Sequence, residues 1–99
     1  LSMRDLSGWN KFIQNCLALK DPAELQQFFE LTLTAAERQK IGSRYLILSE
    51  LIAGDKPQRT IAADLGVSLF NITRGVNQLK QTPLNIQQLI LNSNDKSSL

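Results

Sequence analysis

Residues 58–76 read QRTIAADLGVSLFNITRGV, and this stretch decides the fold. Ile61 and Leu65 stand four apart, which puts them on one face of a short helix. Gly66 follows, where a helix end calls for left-handed backbone. Ser68 is then placed to cap a second helix, whose inner face carries Ile72 and, one turn on, Val76. Val67 falls in the turn and can close the corner, while Ala62 and Ala63 keep the first helix slim enough for a close crossing. The spacing predicts a helix-turn-helix. Two short helices about a glycine can also form a plain αα corner. The polar outer face of the second helix, Asn71, Thr73 and Arg74, favours a surface that reads duplex DNA.

Outward from this corner, every segment reads as helix, so the expected class is all-α with six helices. Trp9, Phe12, Ile13, Cys16, Leu17 and Leu19 recur at three- and four-residue steps, predicting an amphipathic helix over about 6–20. Asp21-Pro22-Ala23-Glu24 supplies an Asp cap, a proline at the first helical position and a Glu placed to complete a capping box. That second helix carries Leu25, Phe28, Phe29 and Leu31. Thr34-Ala35-Ala36-Glu37 is another capping box and opens the longest helix, which Gly54 stops near residue 53. Through Tyr45-Leu46-Ile47-Leu48 and Leu51-Ile52 this helix is apolar nearly all round. A chain of 99 residues has little material to wrap it, so a second subunit is expected to supply cover. The last helix is expected from Thr82-Pro83 to about Asn92, fraying into the polar tail that ends at Leu99. The layout is one all-helical domain over 1–99. Its parts are dimerisation helices at 6–32, a core helix at 34–53, the helix-turn-helix at 57–80 and a terminal helix at 82–92.

Composition narrows the function. The chain has one cysteine, Cys16, and no histidine, so it can form no internal disulfide, Cys/His metal site or His-based catalytic triad. No acid, base and nucleophile converge, and an enzyme is not expected. No run approaches the roughly 20 apolar residues that span a bilayer, and no secretory signal peptide is expected. A soluble cytoplasmic protein is expected. The net charge is only +2, but it is unevenly spread. Residues 1–37 hold three basic against five acidic side chains, whereas residues 38–80 hold seven against three. Positive charge gathers in the segment with the helix-turn-helix, as DNA docking requires, although a solvated charged face has the same look.

At Leu33-Thr34-Ala35-Ala36-Glu37-Arg38, Ile41-Gly42-Ser43-Arg44 and Ile72-Thr73-Arg74-Gly75 the chain resembles the bacterial tryptophan (trp operon) repressors. The likeness runs from about Leu31 to Pro83, with Gln58-Arg59, Asn77 and Leu79-Lys80 also in family positions. The two N-terminal helices fit only by pattern. The resemblance implies an intertwined all-helical homodimer that binds L-tryptophan as corepressor, needs no other cofactor, and then binds operator DNA, with contacts that run largely through water.

The resemblance also places the ligand site. Arg44 shares a helix face with Ile41, Tyr45, Leu48 and Leu51; it is either a snorkelling side chain over apolar surface or one wall of a ligand slot. Arg74 is implied as the second wall and the carboxylate partner, with a phosphate contact as its other reading. Gly75 is expected to leave room for an indole, or simply to let helices pack closely. Thr34 matches the family threonine near the carboxylate, and is also a helix cap. Leu31 and Leu33 match positions whose carbonyls meet the ligand ammonium. At Gln78 the family commonly has a small hydroxyl residue; the longer Gln departs from it, though its amide oxygen can still accept from an ammonium.

Arg59 is the strongest base-contact candidate, because Arg pairs bidentately with guanine in the major groove. Gln58, Ser68, Leu69, Phe70, Asn71 and Thr73 complete the expected DNA face. Phe70 and Asn71 are bulkier than the family's small residues there, and Ala62 stands where a Lys often contributes. The expected function is a tryptophan-activated transcriptional repressor. The alternatives are a helix-turn-helix regulator with a different effector or none, and a helical protein-interaction module.

Overall fold

The computed structural model describes residues 3–95, with side chains over 6–93, and forms six helices. They are α1 (Met3–Ala18), α2 (Pro22–Thr32), α3 (Ala35–Ala53), α4 (Gln58–Leu65), α5 (Leu69–Lys80) and α6 (Leu84–Asp95). The expected all-α class is what the chain adopts. Two compact units divide it, one up to Arg38 and one from Gln39 onward.

In the first unit, α1 ends at Ala18, two residues short of the expected boundary. Asp21 explains the difference. It precedes a proline, which disfavours helical backbone, and it sits extended at φ −88°, ψ 123° as the cap of α2. Its carboxylate accepts from the Ala23 N–H at 3.1 Å, but Glu24 returns no bond among the described residues, so only half of that capping box forms. The aromatic side chains make the packing here. Phe12 lies 5.3 Å from Phe28 and 6.0 Å from Phe29 by ring centroid, and Trp9 stacks on Phe12 at 5.6 Å. Such pairs contribute about 0.5–1.5 kcal/mol beyond area burial. Leu33 closes α2, donating its N–H to the Phe29 carbonyl.

The capping box at the start of α3 is complete. The Thr34 hydroxyl accepts from the Glu37 N–H at 3.1 Å, and the Glu37 carboxylate accepts from the Thr34 N–H at 2.8 Å. Gly54 ends the helix with φ 72°.

The second unit holds the buried core: Ile47 of α3, Ile61 and Ala62 of α4 and Ile72 of α5, flanked by Leu51, Leu65 and Val67. The α4–α5 corner forms as its sequence predicts. Gly66 sits left-handed at φ 67°, and Val67 donates back to the Ala62 carbonyl at 3.0 Å. The Ser68 hydroxyl accepts from the Asn71 N–H at 3.2 Å. Lys56 ties α3 to α4 by reaching Glu50 at 3.1 Å and Asp64 at 3.2 Å.

Two expectations for α6 are corrected. It begins at Leu84 rather than at Thr82-Pro83, and the Thr82 hydroxyl donates to the Gln78 carbonyl at the end of α5. Gln87 fastens the junction, donating to the carbonyls of Leu79 and Thr82. The helix also runs on to Asp95 rather than fraying from Asn92. Residues 96–99 of the expected tail lie outside the described residues.

Candidate ligand cleft and nucleic-acid interface

Within the second unit, α3 and α5 enclose a cleft of about 340 Å³. Lys40, Ser43, Arg44, Ile47 and Leu48 line it from α3; Asn71, Arg74, Gly75 and Gln78 line it from α5. That volume is at the small end for ligand sites, and with six polar or charged residues among the nine that line it the cleft is more polar than such sites usually are. Helical period explains both lists. Residues 40, 43, 44, 47 and 48 share one face of α3, as 71, 74, 75 and 78 share one face of α5.

Four of the residues singled out from the sequence converge here: Arg44, Arg74, Gly75 and Gln78. Of the two readings of Gly75, the structure bears on close helix packing. A Cβ at this position would come within 3.0 Å of Leu51 Cδ1 and 3.2 Å of Ile47 Cγ2, so glycine lets α5 approach α3 at the cleft wall. Leu31, Leu33 and Thr34 belong to the first unit, and local structure accounts for each. Leu31 is 83% exposed on α2, and the Thr34 hydroxyl is engaged as a cap. The Leu33 carbonyl accepts from the Arg38 guanidinium at 2.7 Å.

Sequence reasoning missed Lys40, Ser43 and Ile47 as lining residues. Lys40 and Ile47 lie one turn either side of Arg44, and Ser43 is its neighbour on the same face. Ile41 and Tyr45, grouped with Arg44 by spacing, stay 50% and 42% exposed and do not line the cleft. Asn71 was assigned to the DNA face alone, yet it also lines the cleft.

Cationic charge is the cleft's main electrostatic feature. Lys40, Arg44 and Arg74 line it with no carboxylate among the lining residues. None of the three makes a hydrogen bond or ion pair among the described residues. Lys56 is different: its bonds to Glu50 first, then Asp64, hold its pKa above the ordinary lysine value.

Gln58, Arg59, Ser68, Leu69, Phe70, Asn71 and Thr73 are all exposed, around the starts of α4 and α5. Leu69 and Phe70 are 50% and 69% exposed, large apolar side chains at the first turn of α5. Ala62, by contrast, is buried in the core at 9% exposure, so it faces inward and not toward a DNA partner. Among the described residues no three His, Cys, Asp or Glu side chains gather as a metal site, and no helix is long and apolar enough to cross a membrane.

Comparison with known proteins agrees with this architecture. The family described as Trp repressor protein matches residues 7–94. A Trp operon repressor homolog of Chlamydia caviae is 40% identical over 90 residues, covering 91% of this chain and 89% of the relative. One from Chlamydia trachomatis serovar D is 43% identical over 74 residues, 75% of this chain and 79% of its own. One from Haemophilus influenzae strain PittEE is 42% identical over 77 residues, 78% and 76% of the two chains.

Proposed function

This chain belongs to the Trp repressor family, and on that premise we propose that it is a DNA-binding transcriptional repressor whose operator affinity is raised by L-tryptophan. One observation carries the reading: the cleft and the candidate DNA surface share helix α5. Asn71, Arg74, Gly75 and Gln78 of that helix line the cleft, while Leu69, Phe70 and Thr73 stay exposed. A molecule in the cleft therefore touches the same rigid element that would enter the major groove.

In this reading the indole lies between the guanidinium groups of Arg44 and Arg74, over the floor of Ile47 and Leu48. Partly desolvated cation–π stacking of this kind is worth on the order of 0.5–2 kcal/mol. Arg74 pairs with the carboxylate, and the Gln78 amide oxygen accepts from the ammonium. By family resemblance Thr34 and the carbonyls of Leu31 and Leu33 reach the ligand from the partner subunit.

The dimer itself follows from incomplete burial. Among the described residues only Ile47, Ile61, Ala62 and Ile72 are buried, while Leu6, Trp9, Ile13 and Leu17 of α1 and Ile41, Tyr45 and Leu46 of α3 are exposed. A two-fold homodimer over residues 1–99, acting as one domain, covers these stripes. Two α5 helices must then enter successive major grooves about 34 Å apart, so a small tilt set by the ligand decides whether both dock. Linkage of this kind is typically about 1–3 kcal/mol, or 5–150-fold in affinity. Arg59 and Gln58 read bases, and the start of α5 takes a phosphate.

The test is calorimetry with L-tryptophan together with a gel shift on trp-promoter DNA. The parent protein should bind tryptophan and bind that DNA more tightly in its presence. Arg44→Leu and Arg74→Leu should both lose tryptophan affinity and its enhancement of DNA binding, Arg74→Leu the more strongly. Parent-like tryptophan binding by both variants would remove the slot. DNA binding indifferent to tryptophan would leave a regulator with another effector or none.

A further inference from the structure

We propose that Lys40 is a carboxylate-recognition residue of the α3–α5 cleft, a second cation for the acid end of the ligand beside Arg74. This rests on the cleft being the ligand site argued above. Lys40 stands one turn before Arg44 on the cleft face of α3, and Arg74 lines the same cleft from α5. Three cations share a space of about 340 Å³ whose lining includes no carboxylate. In the same unit Lys56 takes two carboxylates, Glu50 and Asp64. Lys40, Arg44 and Arg74 take none among the described residues.

Like charges gathered without a counter-charge repel, and an anionic group between them removes that cost. The uncharged polar groups of the lining, Ser43, Asn71 and Gln78, cannot do so. A planar guanidinium is suited to stacking on a ring, so two of the cations can be engaged with the aromatic body of the ligand. An ammonium on a flexible stem has no such face and acts as a point charge. Lys40 is therefore the cation whose chemistry is best spent on the carboxylate, and the ligand class is a small aromatic molecule bearing one.

The experiment crosses the lysine charge with the ligand charge, by calorimetry in the absence of DNA. Lys40→Met keeps the stem and removes the ammonium; Lys40→Arg keeps a cation. The probes are L-tryptophan and L-tryptophanamide, which lacks the carboxylate. The parent should prefer tryptophan. Lys40→Met should weaken tryptophan by about five- to tenfold, as expected for loss of one charge-assisted hydrogen bond at a partly open site. It should leave tryptophanamide within twofold, and Lys40→Arg should restore most of the preference. Equal weakening of both probes would make Lys40 a spacer and overturn the proposal. Unchanged binding of both probes by Lys40→Met would show that the ammonium does not meet the ligand, and also overturn it. If the parent binds neither probe, the ligand reading of the cleft falls and this inference falls with it.

Discussion

In the α4–α5 corner, Ile61 and Ile72 are 1% and 0% exposed, and the turn between the helices satisfies its own backbone groups. In α1 and α2 no described side chain is buried, and Leu17 is 77% exposed beside Trp9 at 59%. Both regions are pairs of amphipathic helices. They differ in where the covering surface comes from. The corner receives it from α3 of the same chain, through Ile47 and Leu51. The N-terminal pair covers only its aromatic contacts around Phe12 and leaves the Leu6-Trp9-Ile13-Leu17 stripe open. A corner that completes its own core can tilt as one body, whereas an open apolar stripe is what the proposed second copy would cover.

The sharpest way to break this comparison is Leu17→Lys. If the stripe is covered by a second copy, two-fold symmetry loses the burial twice, at about 1.5–3 kcal/mol each, and buries an unpaired charge as well. Sedimentation should show the parent as a dimer and the variant dissociating at micromolar concentration. On a free surface the same change stays within about 0.5 kcal/mol, so an unaffected variant would separate α1 from the interface.

Next in size is Ile72→Ala, which opens a cavity in the corner and should cost about 2–5 kcal/mol in chemical denaturation. A much smaller loss would mean that the corner does not hold its own core. Gly75→Ala is more modest. Its methyl meets the flexible ends of Leu51 and Ile47, and overpacking of about 1–3 kcal/mol is partly offset by the better helix propensity of alanine. Thermal melts should show a net loss of about 1 kcal/mol, with tryptophan affinity falling too because Ile47 also lines the cleft. A stabilised variant would show that α5 has slack against α3.

The smallest effect belongs to Lys56→Met, at an exposed clamp between α3 and α4. Lys56 has its pKa raised by bonding to Glu50 and Asp64. Its contribution is therefore full below the ordinary lysine pKa and is lost as pH rises through the raised value. Melting temperatures of parent and variant should differ slightly near neutral pH and converge in strong alkali. A gap that persists there would assign the effect to the lysine stem rather than to its charge.

The sequence by itself determined the local architecture. Thr34 with Glu37, Gly54, Gly66 and Ser68 set helix ends through bonds spanning a few residues, and the apolar period placed Ile61 and Ile72 inward. At the start of α6 the local signal was less sharp: the helix begins at Leu84 rather than at Thr82-Pro83, and Thr82 bonds back to Gln78. Four cleft residues were legible because a family motif marks Arg44, Arg74, Gly75 and Gln78. Tertiary structure alone decided that Lys40 and Ser43 turn toward α5 while Ile41 and Tyr45 do not, and that Asn71 serves the cleft as well as the outer face. Period tells which residues share a face of one helix. Which face meets the neighbour depends on how closely two helices approach and cross, and here the absent side chain of Gly75 sets that approach.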